Sequence, residues 1–255
     1  MGFIVGAATD IGTTKSVNQD SMSIRIGQCK EKAIALAILC DGMGGLQKGE
    51  IASAMTIQRF IEWSDNRMPD IVCEDNIWEL VENDWKTLLE EANEELYKYG
   101  QDNHVNLGTT VTGILIVDGE YMVVNVGDSR TYMLNEDIIQ ITEDQSLMAR
   151  EVKLGRLTEE QAILDPRRNV LLQCVGATPN IEIEFYIGVV KAGQSFLVCS
   201  DGLRHMVSND ELNSLLNPSI LKTETDINNA LNSVIKLNMD RNETDNITAG
   251  YIKVV

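Results

Sequence analysis

Short runs of apolar, β-branched residues alternate with long amphipathic segments along this chain. The short runs predict strands, because β-branched side chains pack well on a pleated surface. The predicted strands cover residues 3–9, 21–26, 33–40, 110–117, 121–126, 181–187, 195–199 and 247–254. In the 181–187 run, apolar and polar residues alternate, which predicts that one face of this strand is exposed to solvent.

Three longer segments have apolar residues at helical spacing and are predicted to be helices, at residues 50–63, 76–99 and 226–239. In the second segment, Ile77, Val81, Trp85 and Leu88 belong to one apolar stripe, and acidic residues occupy the opposite face. We interpret the stripes as core-packing surfaces and the acidic face as a solvated one.

The order of these elements predicts an α+β fold. Strands follow one another in sequential runs, which favours two mostly antiparallel sheets with helices outside over a parallel βαβ repeat. The 255 residues include only four prolines and no Ser/Gly/Pro-rich linker, so we predict a single domain over residues 1–255. Residues 143–176 interrupt the strand rhythm and are predicted to form a partly helical insertion that borders a site.

The charge balance excludes several classes of partner. The 21 basic and 39 acidic residues give a net charge of −18, which repels nucleic-acid backbones and anionic membranes. The sequence contains neither the ~18-residue apolar run of a membrane helix nor a signal peptide. Its five cysteines lack CxxC spacing, and a reducing compartment is the default for such a chain. We therefore expect a cytoplasmic protein.

Five acidic residues stand at the boundaries of predicted strands: Asp20, Asp41, Asp128, Asp201 and Asp245. If the strand ends converge in one sandwich, these carboxylates need protons or cations to offset their repulsion. Mg²⁺ and Mn²⁺ favour such oxygen ligands, and Gly44 and Gly45 allow close backbone approach to a metal or an anion. Asp-Gly is also a common turn pair. Spacing alone therefore leaves open a divalent-metal site and a set of ordinary turns.

Eight segments, taken in order, resemble the motifs of a known family. They are TDIGTTKSVNQDS (9–21), LCDGMGG (39–45), GTTVTGILI (108–116), VGDSRTYML (126–134), ITEDQSL (141–147), RNVLLQCVGA (168–177), LVCSDGL (197–203) and DNIT (245–248). With them the chain resembles the protein phosphatase 2C family of metal-dependent Ser/Thr phosphatases, and in particular its compact bacterial members. Eight motifs in order are far more specific than any one of them.

The resemblance implies a four-layer α-β-β-α sandwich with a metal centre at one end of the sheets. This centre would hold two Mn²⁺ or Mg²⁺ ions, and a third in bacterial relatives. Asp41 would bridge two ions, and the Gly42 carbonyl would bind one of them. Asp201 and Asp245 would bind the other, and Asp20 would act mostly through metal-bound water. Asp41 and Asp201 are thus the expected catalytic residues.

Further residues have implied roles around this centre. Asp128, together with Asp201, would hold the third ion, and Asn246 would steady the neighbouring ligand. Lys15 stands where the family usually has Arg, and we expect it to contact the substrate phosphate; a solvated surface lysine is the alternative. Gln19 replaces the usual Glu of the first motif, so it brings no negative charge to the metal-bound waters.

The implied reaction is hydrolysis of phosphoserine and phosphothreonine esters. A metal-bridging hydroxide would attack phosphorus in line, without a covalent phosphoenzyme, and residues 143–176 would form a flap beside the site. The histidines lie outside the first two motifs. We expect His205, four residues after Asp201, to be packed or exposed rather than catalytic.

Two other functions remain open. A pseudophosphatase, which binds phosphoproteins without turnover, is motivated by Lys15 and Gln19. A hydrolase of small phosphate esters would use the same carboxylates. The expected partners are phosphorylated Ser/Thr proteins and a cognate Ser/Thr kinase. We expect a monomer with no nucleic-acid or membrane partner.

Overall fold

The computed structural model describes residues 1–43 and 48–255 and, within them, arranges ten strands in two five-stranded sheets. The first sheet contains, in spatial order, β1 (Phe3–Asp10), β10 (Ile247–Val254), β9 (Ser195–Cys199), β6 (Arg130–Leu134) and β7 (Ile138–Gln140). The second contains β2 (Asp20–Cys29), β3 (Lys32–Asp41), β4 (Val111–Val117), β5 (Glu120–Val126) and β8 (Glu184–Val189). Neighbouring strands pair antiparallel in both sheets, which confirms the sequence prediction.

The described residues form seven α-helices, most of which cover the outer faces of the two sheets. They are α1 (Gly49–Asn66), α2 (Met68–Ile71), α3 (Ile77–Asn103), α4 (Leu147–Lys153), α5 (Glu159–Leu164), α6 (Asn209–Leu216) and α7 (Glu224–Asp240). The apolar faces of α1 and α3 pack on the second sheet, and those of α6 and α7 pack on the first. The layers therefore run helix, sheet, sheet, helix, as in the predicted four-layer sandwich.

Strand β3 shows how one apolar run serves two packing layers. Leu36 and Ile38 face the α1–α3 layer, whereas Ala35 and Ala37 face the other sheet. Alternation along a strand sends successive side chains to opposite faces. The small alanines let the two sheets approach, and the larger residues fill the space under the helices.

Most predicted elements are confirmed, with two corrections. The strand predicted at 181–187 begins only at Glu184. Beyond the Asn125–Glu184 pair, the backbone of Gly127 bonds to Gln145 instead of to a neighbouring strand. Strands β6 and β7 were not predicted, because β6 opens with the polar residues Arg130 and Thr131 and β7 has only three residues.

The 143–176 insertion contains α4 and α5, so its predicted partly helical character is confirmed. Capping fixes where both helices begin. The Ser146 side chain accepts the Ala149 N–H, and Thr158 forms a reciprocal capping box with Gln161. Among all described residues, no helix combines the length and the apolar character needed to cross a membrane.

Candidate active site

Both sheets bring acidic residues to one end of the sandwich. Asp20 begins β2 and Asp41 ends β3, and the two lie opposite each other in the antiparallel ladder. Asp128 follows β5 at the same end of that sheet. On the facing sheet, Asp201 follows β9 and Asp245 precedes β10, which pairs with β9. We call these five residues the acidic rim; they are the five acids that the sequence placed at strand boundaries.

The backbone of Asp41 is fixed by two threonines of the GTT segment. Its N–H donates to Thr110 Oγ1 at 3.1 Å. Its carbonyl accepts from the Thr110 N–H and from the Thr109 hydroxyl, both at 2.9 Å. These three hydrogen bonds leave the chain little freedom here, so the Asp41 carboxylate is presented from a fixed position at the rim.

Gly42 fits tightly between the ends of β2 and β3. Its N–H donates to the Gln19 carbonyl at 3.1 Å, and a Cβ built at Gly42 would lie 2.5 Å from that same oxygen. Only glycine can therefore follow Asp41 without displacing the backbone. Gly44 and Gly45, which the sequence also singled out, lie outside the described residues.

Gln19 is buried, and its side chain forms a hydrogen bond with an acidic residue beside the site. Its side-chain amide donates to Glu50 Oε2 at 3.1 Å. Gln19 stands where the family usually has a negative charge, and the structure places a carboxylate, Glu50 at the start of α1, next to it.

Two carboxylate oxygens of the acidic rim are buried without a partner. Oδ1 of Asp20 and Oδ1 of Asp201 accept no hydrogen bond from any residue in 1–43 or 48–255. The second oxygen of each group is held, because the Ser200 hydroxyl donates to Asp20 Oδ2 at 3.0 Å and His205 Nε2 lies 3.3 Å from Asp201 Oδ2. An unpartnered buried oxygen costs free energy, so this arrangement suits a site that a cation completes.

Burial and mutual repulsion raise the pKa values of three acids in the rim. Burial, with a contribution from the charges of Asp201 and Asp245, raises the pKa of Asp20 to about 6. Burial and the charge of Asp201 raise the pKa of Asp128 to about 7. Burial and the charges of Asp20 and Asp201 raise the pKa of Asp41 well above its ordinary value. These acids therefore lie close enough to resist simultaneous ionisation in the absence of a cation.

Lys15 and Asp245 form an ion pair at the edge of the rim. Lys15 Nζ lies 2.7 Å from Asp245 Oδ1, and each side chain is about one-third exposed. Asp245 Oδ1 also accepts the Asn246 N–H at 2.8 Å. The Asn246 side chain accepts the Gln19 N–H at 2.9 Å and donates to the Ile11 carbonyl at 2.9 Å. Asn246 thus connects the first-motif loop to the Asp245 loop.

His205 lies between two carboxylates. Its Nε2 is 3.3 Å from Asp201 Oδ2, and its Nδ1 is 3.1 Å from Glu243 Oε2. Although burial alone would lower it, the Asp201 charge and the bonds to both carboxylates raise the pKa of His205 to about 10. The same contacts, against the effect of burial, hold the pKa of Asp201 below its ordinary value. The structure thus places His205 as a packed histidine whose two ring nitrogens both face carboxylates.

An arginine network connects the rim to the insertion. Arg204 donates to the Asp128 carbonyl at 2.9 Å and lies 3.6 Å from Asp128 Oδ2. It also contacts Asp144 Oδ2 at 3.4 Å, and Arg130 holds both Asp144 oxygens at 2.7 and 2.8 Å. Because Asp144 lies at the base of the 143–176 insertion, the network fixes that base beside Asp128.

The donor set of the rim fits hard divalent cations. Carboxylate and backbone oxygens are the ligands that Mg²⁺ and Mn²⁺ favour, and the unpartnered oxygens of Asp20 and Asp201 are available to them. In residues 1–43 and 48–255, no three His, Cys, Asp or Glu side chains already converge on one point as an ion cage. Asp245 and Asp201 instead each contact a protein cation, Lys15 and His205 respectively.

Three residues of this site were missed by sequence reasoning: Glu50, Arg204 and Glu243. Arg204 and Glu243 each lie within three positions of a rim acid, and that nearness was the only available signal. Glu50 carries no such signal, because only the packing of α1 against β2 brings it to Gln19.

Comparison with known proteins identifies relatives that share nearly the whole chain. The sequence model for "Protein phosphatase 2C" matches residues 12–236. A putative protein phosphatase 2C-type of Streptococcus pyogenes is 31% identical over 252 residues, which are 97% of this chain and 96% of that protein.

Solved structures share the fold as well. The serine/threonine phosphatase of S. agalactiae superimposes with a TM-score of 0.86 at 30% identity, covering 99% of this chain and 100% of that chain. The catalytic domain of the serine threonine protein phosphatase PstP, in complex with two manganese ions, gives a TM-score of 0.79 at 26% identity. That likeness covers 99% of this chain and 98% of the other.

Proposed function

This chain belongs to the protein phosphatase 2C family and is a metal-dependent serine/threonine protein phosphatase, and we propose that its acidic rim is the catalytic centre. The reaction is hydrolysis of phosphoserine and phosphothreonine esters of proteins. One observation carries the proposal: two buried, unpartnered carboxylate oxygens, on Asp20 and Asp201, come from different sheets and lie among acids that repel each other. This arrangement of carboxylates, in the described part of the chain, suits the binding of cations.

The rim would hold two Mn²⁺ or Mg²⁺ ions. Asp41, the Gly42 carbonyl, Asp201 and Asp245 would be their ligands, and Asp20 would act mostly through metal-bound water. When bound, the ions supply an activated water for attack on phosphorus and neutralise charge on the phosphoryl group. The two manganese ions in the related PstP structure support the proposal of a two-ion site.

Asp128, together with Asp201, would hold a third ion. Asp128 is mostly buried, and Arg204 fixes its backbone carbonyl, so its carboxylate stays at the rim. The Arg204 guanidinium also lies 3.6 Å from Asp128 Oδ2 and offsets part of its charge. Arg204 would therefore compete with a cation for the Asp128 carboxylate.

The chain's own residues position the substrate and the ligands. The Lys15 ammonium, held at the rim by Asp245, binds the substrate phosphate through a charge-assisted hydrogen bond. Thr109 and Thr110 keep Asp41 in place, so that its carboxylate need not reorganise during the reaction. Gln19 and Asn246 hold the first-motif loop, which carries Lys15, against the Asp245 loop.

The cellular setting follows from the same features. All five cysteines of the described chain are free thiols, which supports a place in the reducing cytoplasm. The natural substrates are proteins phosphorylated by a cognate Ser/Thr kinase, and the enzyme acts as a monomer. The net charge of −18 argues against nucleic acid as a substrate.

Phosphate release tests this function. A phosphothreonine peptide and a nucleoside triphosphate are offered at equal concentration, in Mn²⁺, in Mg²⁺ and in chelator. We expect metal-dependent release from the peptide, little from the nucleotide and none in chelator. D201N should abolish release, whereas D210N, a matched change at an exposed position of α6, should leave it unchanged.

Two outcomes would contradict the proposal. Preferential release from the nucleotide would indicate a hydrolase of small phosphate esters. Peptide binding without release in either metal, by protein shown to be folded, would indicate a pseudophosphatase.

A further inference from the structure

His205 and Glu243 connect the two loops that carry Asp201 and Asp245. The imidazole contacts Asp201 Oδ2 through Nε2 at 3.3 Å and Glu243 Oε2 through Nδ1 at 3.1 Å. We call the row Glu243, His205 and Asp201 the histidine bridge. Both ring nitrogens are engaged, so the ring orientation is set from two sides.

The Glu243 end of the bridge is firmly anchored. Glu243 is 3% exposed, and its Oε1 accepts the N–H groups of Thr244 at 2.7 Å and of Asp245 at 2.9 Å. One carboxylate therefore holds the backbone of the Asp245 loop with one oxygen and His205 with the other. Motion of either loop would break a contact to this single buried group.

The Asp201 end leaves one oxygen available. His205 engages Oδ2 only, and Oδ1 of Asp201 is buried and unpartnered within the described residues. A carboxylate held on one oxygen presents the other in a defined direction. Hydrogen bonds from outside the ligand set act in this way in metal sites, where their loss weakens metal binding.

The contacts between α7 and the Asp201 segment support the same conclusion. The buried Asn238 side chain donates to the Leu203 carbonyl at 2.8 Å and accepts the Met206 N–H at 3.3 Å. The segment from Asp201 to Met206 is thus fixed on both sides of His205. The imidazole is held by its backbone as well as by its ring.

We propose that His205, anchored by Glu243, is a positioning residue that sets Asp201 and Asp245 at the separation at which both can bind one divalent ion. This inference rests on the proposed function, because it assigns the bridge to the ion held by these two acids. Neither His205 nor Glu243 touches the substrate or the reacting atoms.

The test compares four variants by calorimetric titration of Mn²⁺ into substrate-free protein. H205N shortens the side chain, so that it cannot reach both carboxylates, and H104N makes the same change at the exposed end of α3. E243A removes the anchor. E243Q keeps an oxygen for the two backbone N–H groups and an amide that can donate to Nδ1, with Nε2–H then donating to Asp201.

We expect H205N and E243A to weaken Mn²⁺ affinity by about tenfold, the lower end of the range for such contacts. E243Q and H104N should stay within about threefold of the wild type, because they leave the bridge in place. At saturating Mn²⁺, the KM for a phosphothreonine peptide should be unchanged in H205N. Urea unfolding in chelator reports stability separately.

Each contrary result has a distinct meaning. If the wild type binds Mn²⁺ and H205N and E243A bind it equally well or more tightly, the positioning role is overturned and the proposed function stands. An E243Q variant as weak as E243A overturns the bridge geometry. If the wild type binds no Mn²⁺, both the proposed function and the positioning role fail.

Discussion

Lys15 Nζ lies 2.7 Å from Oδ1 of Asp245, so a lysine of the first motif sits at the acidic rim and not out in solvent. We predict that K15M lowers kcat/KM for a phosphothreonine peptide roughly tenfold or more, because a hydrogen bond to a charged group is worth about 1.5–3 kcal/mol. Most of this loss should appear in KM.

K15R is the matched control for that change. It keeps the positive charge and should stay within a few-fold of the wild type. Steady-state kinetics at saturating Mn²⁺ measure both variants. A K15M enzyme with an unchanged KM would show that Lys15 is a surface lysine that happens to pair with Asp245.

Because Gln19 donates a hydrogen bond to Glu50, we predict that a negative charge at position 19 destabilises the fold. Q19E would set two carboxylates within 3.1 Å in a partly buried place, and we expect it to destabilise the fold by about 1–3 kcal/mol. Combining it with E50Q restores one donor and one acceptor and should recover most of the loss. Urea unfolding of the two single variants and the double variant measures the coupling.

Gln58 offers a matched control, because its amide also donates to a glutamate, Glu62, at 3.1 Å but on the exposed face of α1. Q58E should cost only a few tenths of a kcal/mol there. If Q19E is as mild as Q58E, the Glu50 carboxylate does not hold Gln19 in the way the structure indicates.

Gly42 should not tolerate a side chain. G42A would bring a Cβ to 2.5 Å from the Gln19 carbonyl, and we predict a loss of about 1–3 kcal/mol in the free energy of unfolding. G27A is the control, because a Cβ at that exposed position of β2 meets nothing within 4 Å in the described part of the chain. Urea unfolding should show G27A within about 0.5 kcal/mol of the wild type. Equal stability of the two variants would contradict the tight fit.

Stability in chelator should fall as the pH rises from 5 to 8. The pKa values of Asp20 and Asp128 are about 6 and about 7 in the fold, against 3.8 for an ordinary aspartate. The folded state therefore binds protons that the unfolded chain has released, and a rise in pH through these values removes that stabilisation. The pKa of His205, about 10 against 6.5, acts in the same direction above pH 6.5.

Acids with a lowered pKa, such as Glu211, are ionised in both states above pH 5 and do not alter this slope. Mn²⁺ should offset the loss at pH 8, because it replaces the protons between the carboxylates. Thermal unfolding at pH 5.5 and 8, with chelator and with Mn²⁺, measures both effects. A melting temperature that rises with pH in chelator would contradict the crowding of acids at the rim.

The sequence predicted the parts of the fold that carry a strong periodic signal. The long stripe that contains Val81 and Trp85 predicted α3, and the apolar run that contains Leu36 and Ile38 predicted β3. Strand β6 was missed because it opens with the polar residues Arg130 and Thr131, whereas β9, of the same length, is an almost unbroken apolar run. Ile181 and Ile183 imitate a strand, yet they pack beneath the helix layer without joining β8.

The residues of the candidate site also fall into two groups, those that the sequence could reveal and those that it could not. Its five acids could be found because each follows or precedes a strand, so that the boundary itself is the signal. Glu50 could not be found, because its contact with Gln19 is long-range and no local pattern records it, whereas Glu243 offered only its nearness to Asp245 as a signal. For His205, the nearness to Asp201 is visible in the sequence, but its second partner, Glu243, lies too far along the chain for a local pattern to indicate it.

The most direct test of the acidic rim compares two variants in one assay, the release of phosphate from a phosphothreonine peptide in Mn²⁺. The test variant is D41N, and the control is D118N in the exposed β4–β5 turn. On the proposed assignment Asp41 serves two ions, and loss of its carboxylate should lower kcat roughly 100-fold or more, since several kcal/mol of transition-state stabilisation would depend on it. D118N should match the wild type. A folded D41N enzyme with near-normal, metal-dependent turnover would contradict the assignment of the acidic rim as the catalytic centre.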